Sequence, residues 1–213
     1  MKIDFVSDIA CPWCAIGLNA LEQALARVAP DISATLHFQP FELNPTMATE
    51  GQEIVEHLSQ KYGIDAQQVA ANTEAIRQRG ESVGFTFGIG KRSRVYNTFN
   101  AHRLLYWAGL QGGEAQRALK HALLKTYFTD GQNPSDDAVL LAAVGAAGLD
   151  VVAARAVLAG DQFAAEVRAA EGFYHQQGIS SVPAVIINDR HLISGGQPVE
   201  VFERALRQIA AAA

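Results

Sequence analysis

The only two cysteines of the 213-residue chain, Cys11 and Cys14, lie three positions apart near its N-terminus. Residues 2–7 precede them with the alternating apolar pattern of a strand. An apolar stripe that begins at Cys14 follows them with helical spacing and ends before Pro30. A Cys-x-x-Cys pair between a strand and a helix is the usual context of a redox-active dithiol. The pair therefore predicts a βαβ unit whose first helix begins at the cysteines.

The position of each cysteine on this helix predicts its chemical role. Pro12 is expected at the first helical position, where its missing N–H costs nothing. Cys11 then lies at the helix N-terminus, where unpaired N–H groups and the helix dipole favour a negatively charged sulfur. Cys11 is therefore predicted to be the attacking thiolate, and the inward-facing Cys14 the resolving thiol. Pro12 and Trp13, between them, are expected to tune the reduction potential and to contact substrate.

The pair has two other interpretations. The cysteines could be ordinary buried residues, or they could be half of a zinc site. Zinc needs two further ligands, and the sequence supplies neither a second Cys pair nor a closely spaced His pair. We therefore expect no metal and no resident cofactor.

The rest of the chain reads as strand and helix segments in a recognisable order. Residues 34–41 predict a second strand, parallel to the first, and 184–187 with 191–194 predict a hairpin. Helices are expected from Asp161 to Gln177 and from Pro198 onward, and Ser135 is expected to cap another. The result is an α/β thioredoxin fold, a central mixed β-sheet flanked by helices, with a large all-helical insertion. The predicted domains are a discontinuous thioredoxin-like domain of residues 1–48 and 161–213 and an inserted helical domain of residues 49–160.

Four motifs carry a resemblance over the whole chain to the DsbA-like thioredoxin superfamily, and within it to the FrnE-type cytoplasmic proteins. They are Cys11-Pro12-Trp13-Cys14 with Ala15-Ile16-Gly17, the segment Asn97-Thr98-Phe99-Asn100-Ala101-His102-Arg103-Leu104, Ser181-Val182-Pro183 before a strand, and Gly195-Gly196-Gln197-Pro198. The resemblance implies that Pro183 is a cis-proline beside the redox pair and that the Val182 backbone pairs with an extended substrate. It also implies that the segment containing Asn97 and His102 forms a wall of the substrate cleft.

A sister branch contains the 2-hydroxychromene-2-carboxylate isomerases and the kappa-class glutathione transferases. These proteins resemble the chain in fold and insertion, but typically carry serine at the position of Cys11. The presence of both cysteines argues against that branch, and glutathione stays open as a co-substrate.

Composition and charge exclude several other classes. The net charge is −5, whereas nucleic-acid-binding proteins concentrate Lys and Arg on one face. The sequence therefore does not indicate nucleic-acid binding. No apolar run reaches the length of a membrane span, and the acidic N-terminal segment is unlike a signal peptide, so we expect a cytoplasmic protein.

Asp8 is predicted to be an exposed acid at the end of the first strand, with proton transfer as an alternative role.

Three hypotheses about function therefore remain at the level of the sequence. The first is a thiol–disulfide oxidoreductase acting on protein or small-molecule thiols and disulfides. The second is a glutathione-dependent isomerase or transferase, and the third is a non-enzymatic interaction domain. The sequence gives neither the physiological substrate, nor the direction of electron flow, nor the oligomeric state.

Overall fold

A four-stranded mixed sheet forms the centre of the structure, a computed structural model that describes residues 1–212. The strands of the chain are β1 (Lys2–Ser7), β2 (Thr35–Pro40), β3 (Gln52–Glu53), β4 (Arg94–Val95), β5 (Ala184–Ile187) and β6 (His191–Ser194). The central sheet has the order β2-β1-β5-β6. β1 runs parallel to β2 and antiparallel to β5, and β5 and β6 form the predicted hairpin. This is the strand order of the expected thioredoxin fold.

Nine α-helices surround this sheet within residues 1–212. They are α1 (Pro12–Val28), α2 (Ile54–Tyr62), α3 (Ala66–Glu81), α4 (Phe99–Gly109), α5 (Gly113–Leu124), α6 (Asp137–Ala146), α7 (Val151–Ala159), α8 (Ala164–Gln176) and α9 (Val199–Ala211). A π-helical turn, Lys125–Thr129, continues α5. Over the same residues, no helix combines the length and the hydrophobicity that a membrane crossing requires.

The first helix positions the two cysteines at the carboxyl end of β1. Pro12 occupies the first helical position, as the sequence predicts, and the helix ends at Val28. Cys14, Leu18 and Leu21 are fully buried along one side of α1. Because β1 lies inside the sheet between β2 and β5, this turn from strand to helix is held on both sides.

The segment between β2 and α8 is mostly helical, but it shares its core with the sheet. Phe5 of β1 and Leu18 of α1 belong to the same buried cluster as Leu104 of α4 and Leu119 of α5. The short antiparallel pair of β3 and β4 interrupts the helices, and the guanidinium of Arg94 reinforces it by donating to the carbonyls of residues 50 and 51. The boundaries of the two predicted domains stay a prediction.

Two predicted helix starts differ from the structure, besides α9, where Pro198 is the cap and Val199 begins the helix. The cap of α6 is Asp136, whose carboxylate accepts from two backbone N–H groups of the first turn, whereas the Ser135 hydroxyl donates to the Asn97 carbonyl. The helix expected from Asp161 begins later, at Ala164, because Phe163 adopts a left-handed conformation with φ of 64°. Neither shift moves the sheet or the cysteine pair.

An ionic cluster joins α1 to the inserted helix α5. Glu22 of α1 accepts from Arg117 Nε at 2.6 Å and lies 2.9 Å from His121 Nε2. Burial by itself raises the pKa of Glu22, but the hydrogen bonds and positive charges of His121 and Arg117 outweigh it and lower that pKa. A lowered carboxyl pKa contributes stability above the usual carboxyl range, and this contribution is lost as the pH falls through the folded-state pKa.

The Glu22→Gln variant should therefore lower the free energy of unfolding by about 1 kcal/mol at pH 7. Its difference from the wild type should close as the pH falls below about 4. Thermal unfolding followed across this range measures both effects. Glu114→Gln is the matched control, because Glu114 faces the same Arg117 at 3.7 Å but is 91% exposed. Equal losses from the two substitutions would show that burial of Glu22 adds nothing.

Candidate active site

Cys11 caps α1 and faces the loop before β5. Its backbone is extended, with φ of −94° and ψ of 114°, and its side chain makes no capping hydrogen bond to the helix. The Sγ thiol instead donates to the Val182 carbonyl at 3.5 Å. Cys11 is 4% exposed and is a free thiol, as is Cys14. Cys11 is therefore almost buried, with only a small part of its surface open to solvent.

Cys14 lies one turn further along α1 and is completely buried. Its backbone N–H donates to the Cys11 carbonyl at 3.0 Å, which closes the first turn around the pair. Burial, followed by the hydrogen bond and negative charge of Cys11, raises the pKa of the Cys14 thiol well above its usual value. Cys14 is thus shielded from solvent, and its thiol holds its proton firmly.

The Val182–Pro183 loop covers the cysteine pair from the side of β5. The peptide bond between these residues is cis, as is that between Ala29 and Pro30. Pairing between β1 and β5 ends at Ala184, so Val182 lies beyond the ladder. The Pro183 ring packs so closely on α1 that a Cβ on Gly17 would come within 3.0 Å of its Cγ. The loop, and with it the Val182 carbonyl, is held against the first turns of α1.

Two exposed aromatic side chains belong to the elements around the redox pair. Trp13 follows Cys11 by two residues and is 41% exposed, while Pro12 beside it is half-buried. Tyr62, the last residue of α2, is 58% exposed. Burial, and then the negative charge of Cys11, raise the pKa of the Tyr62 phenol. Sequence reasoning did not select Tyr62 as a site residue.

Asp8 lies beneath the redox pair and is not the exposed acid that the sequence predicted. It is 1% exposed, and its carboxylate accepts from the N–H groups of Ala10 at 3.1 Å and Leu43 at 2.7 Å. It also accepts from the Thr98 hydroxyl at 2.8 Å. Burial alone would raise the pKa of Asp8, but His102 and these backbone N–H groups outweigh burial and lower it. Asp8 is therefore a buried carboxylate that organises the turn between β1 and Cys11.

The segment from Asn97 to Arg103, which the resemblance predicts to be a cleft wall, contacts the buried carboxylate of Asp8. His102 is 2% exposed, and its Nε2 lies 3.4 Å from Asp8 Oδ1, so its side chain does not reach the cleft surface. Asn97 is half-buried, and its amide oxygen accepts from the N–H of Phe99 at the start of α4. A contact between Asn97 and substrate stays a prediction.

The next question is whether the side chains of the site could bind a metal ion. In the part of the chain that the structure describes, no three side chains among His, Cys, Asp and Glu come together as metal ligands. The site thus consists of two thiols, a backbone carbonyl, a buried acid network and a rim of aromatic rings.

Comparison with known proteins decides the family. The family model of the DSBA-like thioredoxin domain matches residues 2–207, nearly the whole chain. The chain belongs to the DsbA-like thioredoxin family. The thioredoxin-like α/β fold with a helical insertion is thereby confirmed, and the family is one of thiol–disulfide oxidoreductases.

Solved structures show the same fold. The crystal structure of a probable DsbA oxidoreductase from Streptomyces coelicolor is 34% identical, with a TM-score of 0.93 over 100% of this chain and 91% of that one. A 2-hydroxychromene-2-carboxylate isomerase is 15% identical, with a TM-score of 0.69 over 100% of both chains.

The cytosolic disulfide reductase DsbM of Pseudomonas aeruginosa, solved with glutathione, is 15% identical, with a TM-score of 0.68 over 99% of this chain and 100% of that one. At such identities these last two likenesses concern the fold alone. A comparison with curated proteins finds no significant match.

Proposed function

We propose that this DsbA-like protein exchanges disulfides through Cys11 and Cys14, with Cys11 as the nucleophile and Cys14 as the resolving thiol. The observation that carries the proposal is the unequal placement of the two sulfurs on α1. Cys11 lies at the helix N-terminus and is 4% exposed, and Cys14 lies one turn further along with no exposure. A substrate disulfide can thus meet only one sulfur first.

The reaction has two steps. The Cys11 thiolate attacks one sulfur of the substrate, a mixed disulfide forms, and the other substrate sulfur leaves as a thiol. The Cys14 thiolate then attacks Cys11 Sγ, the Cys11–Cys14 disulfide forms, and the second substrate thiol leaves. The substrate gains two electrons and the dithiol loses them, and the reverse sequence oxidises a substrate dithiol.

The rim of the site suggests what kind of substrate is bound. The 4% exposure of Cys11 supports a thin segment, either an extended peptide or a small disulfide, and not a broad folded surface. Val182 lies beyond the end of the β5 ladder, where its backbone is available for strand-like pairing with an extended chain. Trp13 and Tyr62 offer exposed apolar faces to such a segment.

Glutathione is the second candidate substrate, and a glutathione-dependent isomerase is the alternative function. The enclosed thiol favours a small peptide disulfide, and a neighbour of the same fold, the reductase DsbM, was solved with glutathione. The alternative needs only one sulfur, whereas disulfide exchange as proposed needs both.

The proposal also includes a cytoplasmic location and a FrnE-type role. The location is supported by cysteine usage, because the chain has no cysteines besides this pair and so no framework of structural disulfides.

The proposal is tested by trapping. Incubated with insulin or oxidised glutathione, the Cys14→Ser variant should accumulate a mixed disulfide on Cys11, because no second sulfur displaces the substrate. The Cys11→Ser variant should accumulate none, because Cys14 is 0% exposed. Mass spectrometry under non-reducing conditions measures both outcomes, and wild-type protein, which releases its substrate, is the control.

Other outcomes of this experiment would favour the alternatives. Equal trapping by the two variants would contradict the division of roles. A glutathione-dependent activity that survives Cys14→Ser would favour the isomerase, and a wild type without any thiol activity would leave an interaction domain.

A further inference from the structure

The turn between β6 and α9 touches the redox helix, and the proposed mechanism has not used it. The turn contains Gly195 and Gly196, and it lies against the first turn of α1. A Cβ built on Gly196 would come within 3.0 Å of the Trp13 carbonyl oxygen, 3.3 Å of Trp13 Cε3 and 3.5 Å of the Gly17 nitrogen. The turn therefore approaches both the main chain and the ring of the residue that precedes Cys14.

The two glycines of this turn are needed for different reasons. Gly195 has a left-handed backbone with φ of 81°, a conformation that favours glycine. Gly196 is not among the residues with a positive φ, so its backbone conformation does not require glycine. The position lacks space instead, because a side chain there would meet the carbonyl and the ring of Trp13. Gly196 thus permits the close approach of the turn to Trp13.

The turn is held in place at both of its ends. The N–H of Gly195 donates to the Pro183 carbonyl at 2.8 Å, which ties the turn to the loop before β5. On the other side, Val199 and Phe202 bury the start of α9 in the core. A displacement of the turn would break this hydrogen bond or lift α9 from the core. The turn is therefore a fixed surface beside the Trp13 ring.

Trp13 is supported on one side and open on the other. Its ring carbon Cε3 lies beside the turn, whereas the residue as a whole is 41% exposed. The other tryptophan of the chain, Trp107, packs against the hydrophobic core. A large aromatic side chain that is supported and yet partly exposed is typical of a contact residue in an interface. The exposed part of the Trp13 indole is thus available to a bound substrate.

We infer that Gly196 is a positioning residue for substrate recognition. Because it has no side chain, the turn supports the Trp13 indole, and the exposed part of the ring takes up an apolar side chain next to the substrate cysteine. This inference rests on the proposed function and adds a preference to it. Peptide disulfides with large apolar residues beside the cysteine react faster than those with small residues. Gly196 acts through Trp13 and takes no part in the exchange of sulfurs.

The test compares two peptide disulfides that differ only in the neighbours of the cysteine. They are the symmetric dimers of acetyl-Phe-Cys-Phe-amide and acetyl-Gly-Cys-Gly-amide. Reduced protein is mixed with each dimer and quenched with acid, and mass spectrometry gives the second-order rate constant. Division by the rate constant with dithiothreitol removes the intrinsic difference between the two disulfides. The wild type should prefer the phenylalanine peptide by about 10-fold, the size of one good aromatic contact.

The Gly196→Val variant should lose most of this preference, which falls to about 2-fold. Of the three atoms that its side chain meets, two belong to the main chain of α1 and only Trp13 Cε3 can move by rotation of a side chain. The indole is therefore displaced. In a Trp107→Phe background, where Trp13 is the only tryptophan, its fluorescence emission should shift to longer wavelength. Gly196→Ala adds less volume and should lose less of the preference, and it gives the same comparison if the valine variant does not fold.

The matched control is Gly160→Val. Gly160 has an extended backbone, with φ of −134° and ψ of −162°, and an added Cβ there meets no heavy atom within 4 Å. This variant should keep the wild-type preference. Trp13→Ala shows whether Gly196 acts through the indole. It should lack the preference, and adding Gly196→Val to it should change the preference no further.

Other patterns of rates would contradict the inference. A purely structural Gly196 would slow both peptides equally in Gly196→Val and leave the preference intact, and that result would overturn the inference. A wild type that reduces both peptides without preference would overturn it as well, while the proposed function stands. A wild type that reduces neither peptide would refute the proposed function itself.

Discussion

The Gly17→Val variant should exchange disulfides about 100-fold more slowly than the wild type, because a displacement of about 1 Å at a reacting centre has such an effect. A Cβ at this position would lie 3.0 Å from Pro183 Cγ and 3.2 Å from Gly196 Cα. The Gly196 atom belongs to the backbone and cannot rotate away. The valine therefore pushes the Pro183 loop outward, and the Val182 carbonyl leaves the Cys11 thiol.

The same overpacking should also destabilise the fold. A loss of about 3 kcal/mol is expected for a branched side chain forced into a filled contact. In a chain of this length, that loss corresponds to a fall of about 6 to 12 °C in melting temperature. Stopped-flow kinetics of the attack of Cys11 on a substrate disulfide measure the exchange rate, and thermal unfolding measures the loss of stability.

A second glycine offers a matched control. Gly172 lies in α8, and an added Cβ there meets no heavy atom within 4 Å. Gly172→Val should leave both the exchange rate and the melting temperature near their wild-type values. If Gly17→Val retained the wild-type exchange rate while losing stability, the close packing of Pro183 on α1 would have no part in positioning the cleft.

The sequence predicts the sheet and the redox helix well because their signals are local. Alternation predicts β1, and the apolar stripe with a proline at each end predicts α1, which the structure gives as Pro12–Val28. A Cys-x-x-Cys pair at the junction then specifies the kind of site. The family match over residues 2–207 confirms the thioredoxin-like fold, and the role of the cysteine pair stays a prediction.

The sequence fails to predict those elements whose formation depends on residues far away in the chain or on a choice between adjacent caps. β3 and β4 contain two residues each, too few for alternation to be visible, and their pairing joins residues about forty positions apart. Ser135 and Asp136 are adjacent and are both good caps, so their order along the sequence does not decide which one is used.

The buried polar groups of the site were missed for the same reason. Asp8 is buried because α4 brings Thr98 and His102 to it, and nothing next to Asp8 in the sequence indicates this. Lys120 of α5 is also completely buried, and for this residue a signal does exist. It lies four residues after Gln116, whose side chain is buried against β2, and next to the buried Leu119, so it falls on the inward side of α5. A lysine on such a face is unusual, because lysine is almost never fully buried without a partner.

Removal of the Asp8 carboxylate should have the largest effect on stability of any single substitution considered. We expect Asp8→Ala to lower the free energy of unfolding by about 3 to 5 kcal/mol, because it strands several buried donors at once. The N–H groups of Ala10 and Leu43 and the hydroxyl of Thr98 all lose their acceptor. Urea denaturation at pH 7 measures the loss.

The pH dependence gives this prediction a sign. Because the pKa of Asp8 is lowered in the folded protein, its contribution is present at neutral pH and is lost as the pH falls through its folded-state value. The difference between the wild type and Asp8→Ala should therefore narrow on acidification below about pH 4. A difference that stayed constant would indicate a cavity effect and not an ionised carboxylate.

Thr98→Val provides a graded comparison, because it removes one donor and leaves the carboxylate with its other partners. It should cost about 1 kcal/mol, as for a single buried hydrogen bond. A loss from Asp8→Ala no larger than that from Thr98→Val would refute the view of Asp8 as the centre of the network. The Asp8 carbonyl accepts from Cys11 N–H at 3.4 Å, and its carboxylate holds the N–H of Ala10, so the same residue shapes the turn that ends at the nucleophile. Asp8→Ala should therefore also slow the attack by Cys11, even in the fraction of molecules that remains folded.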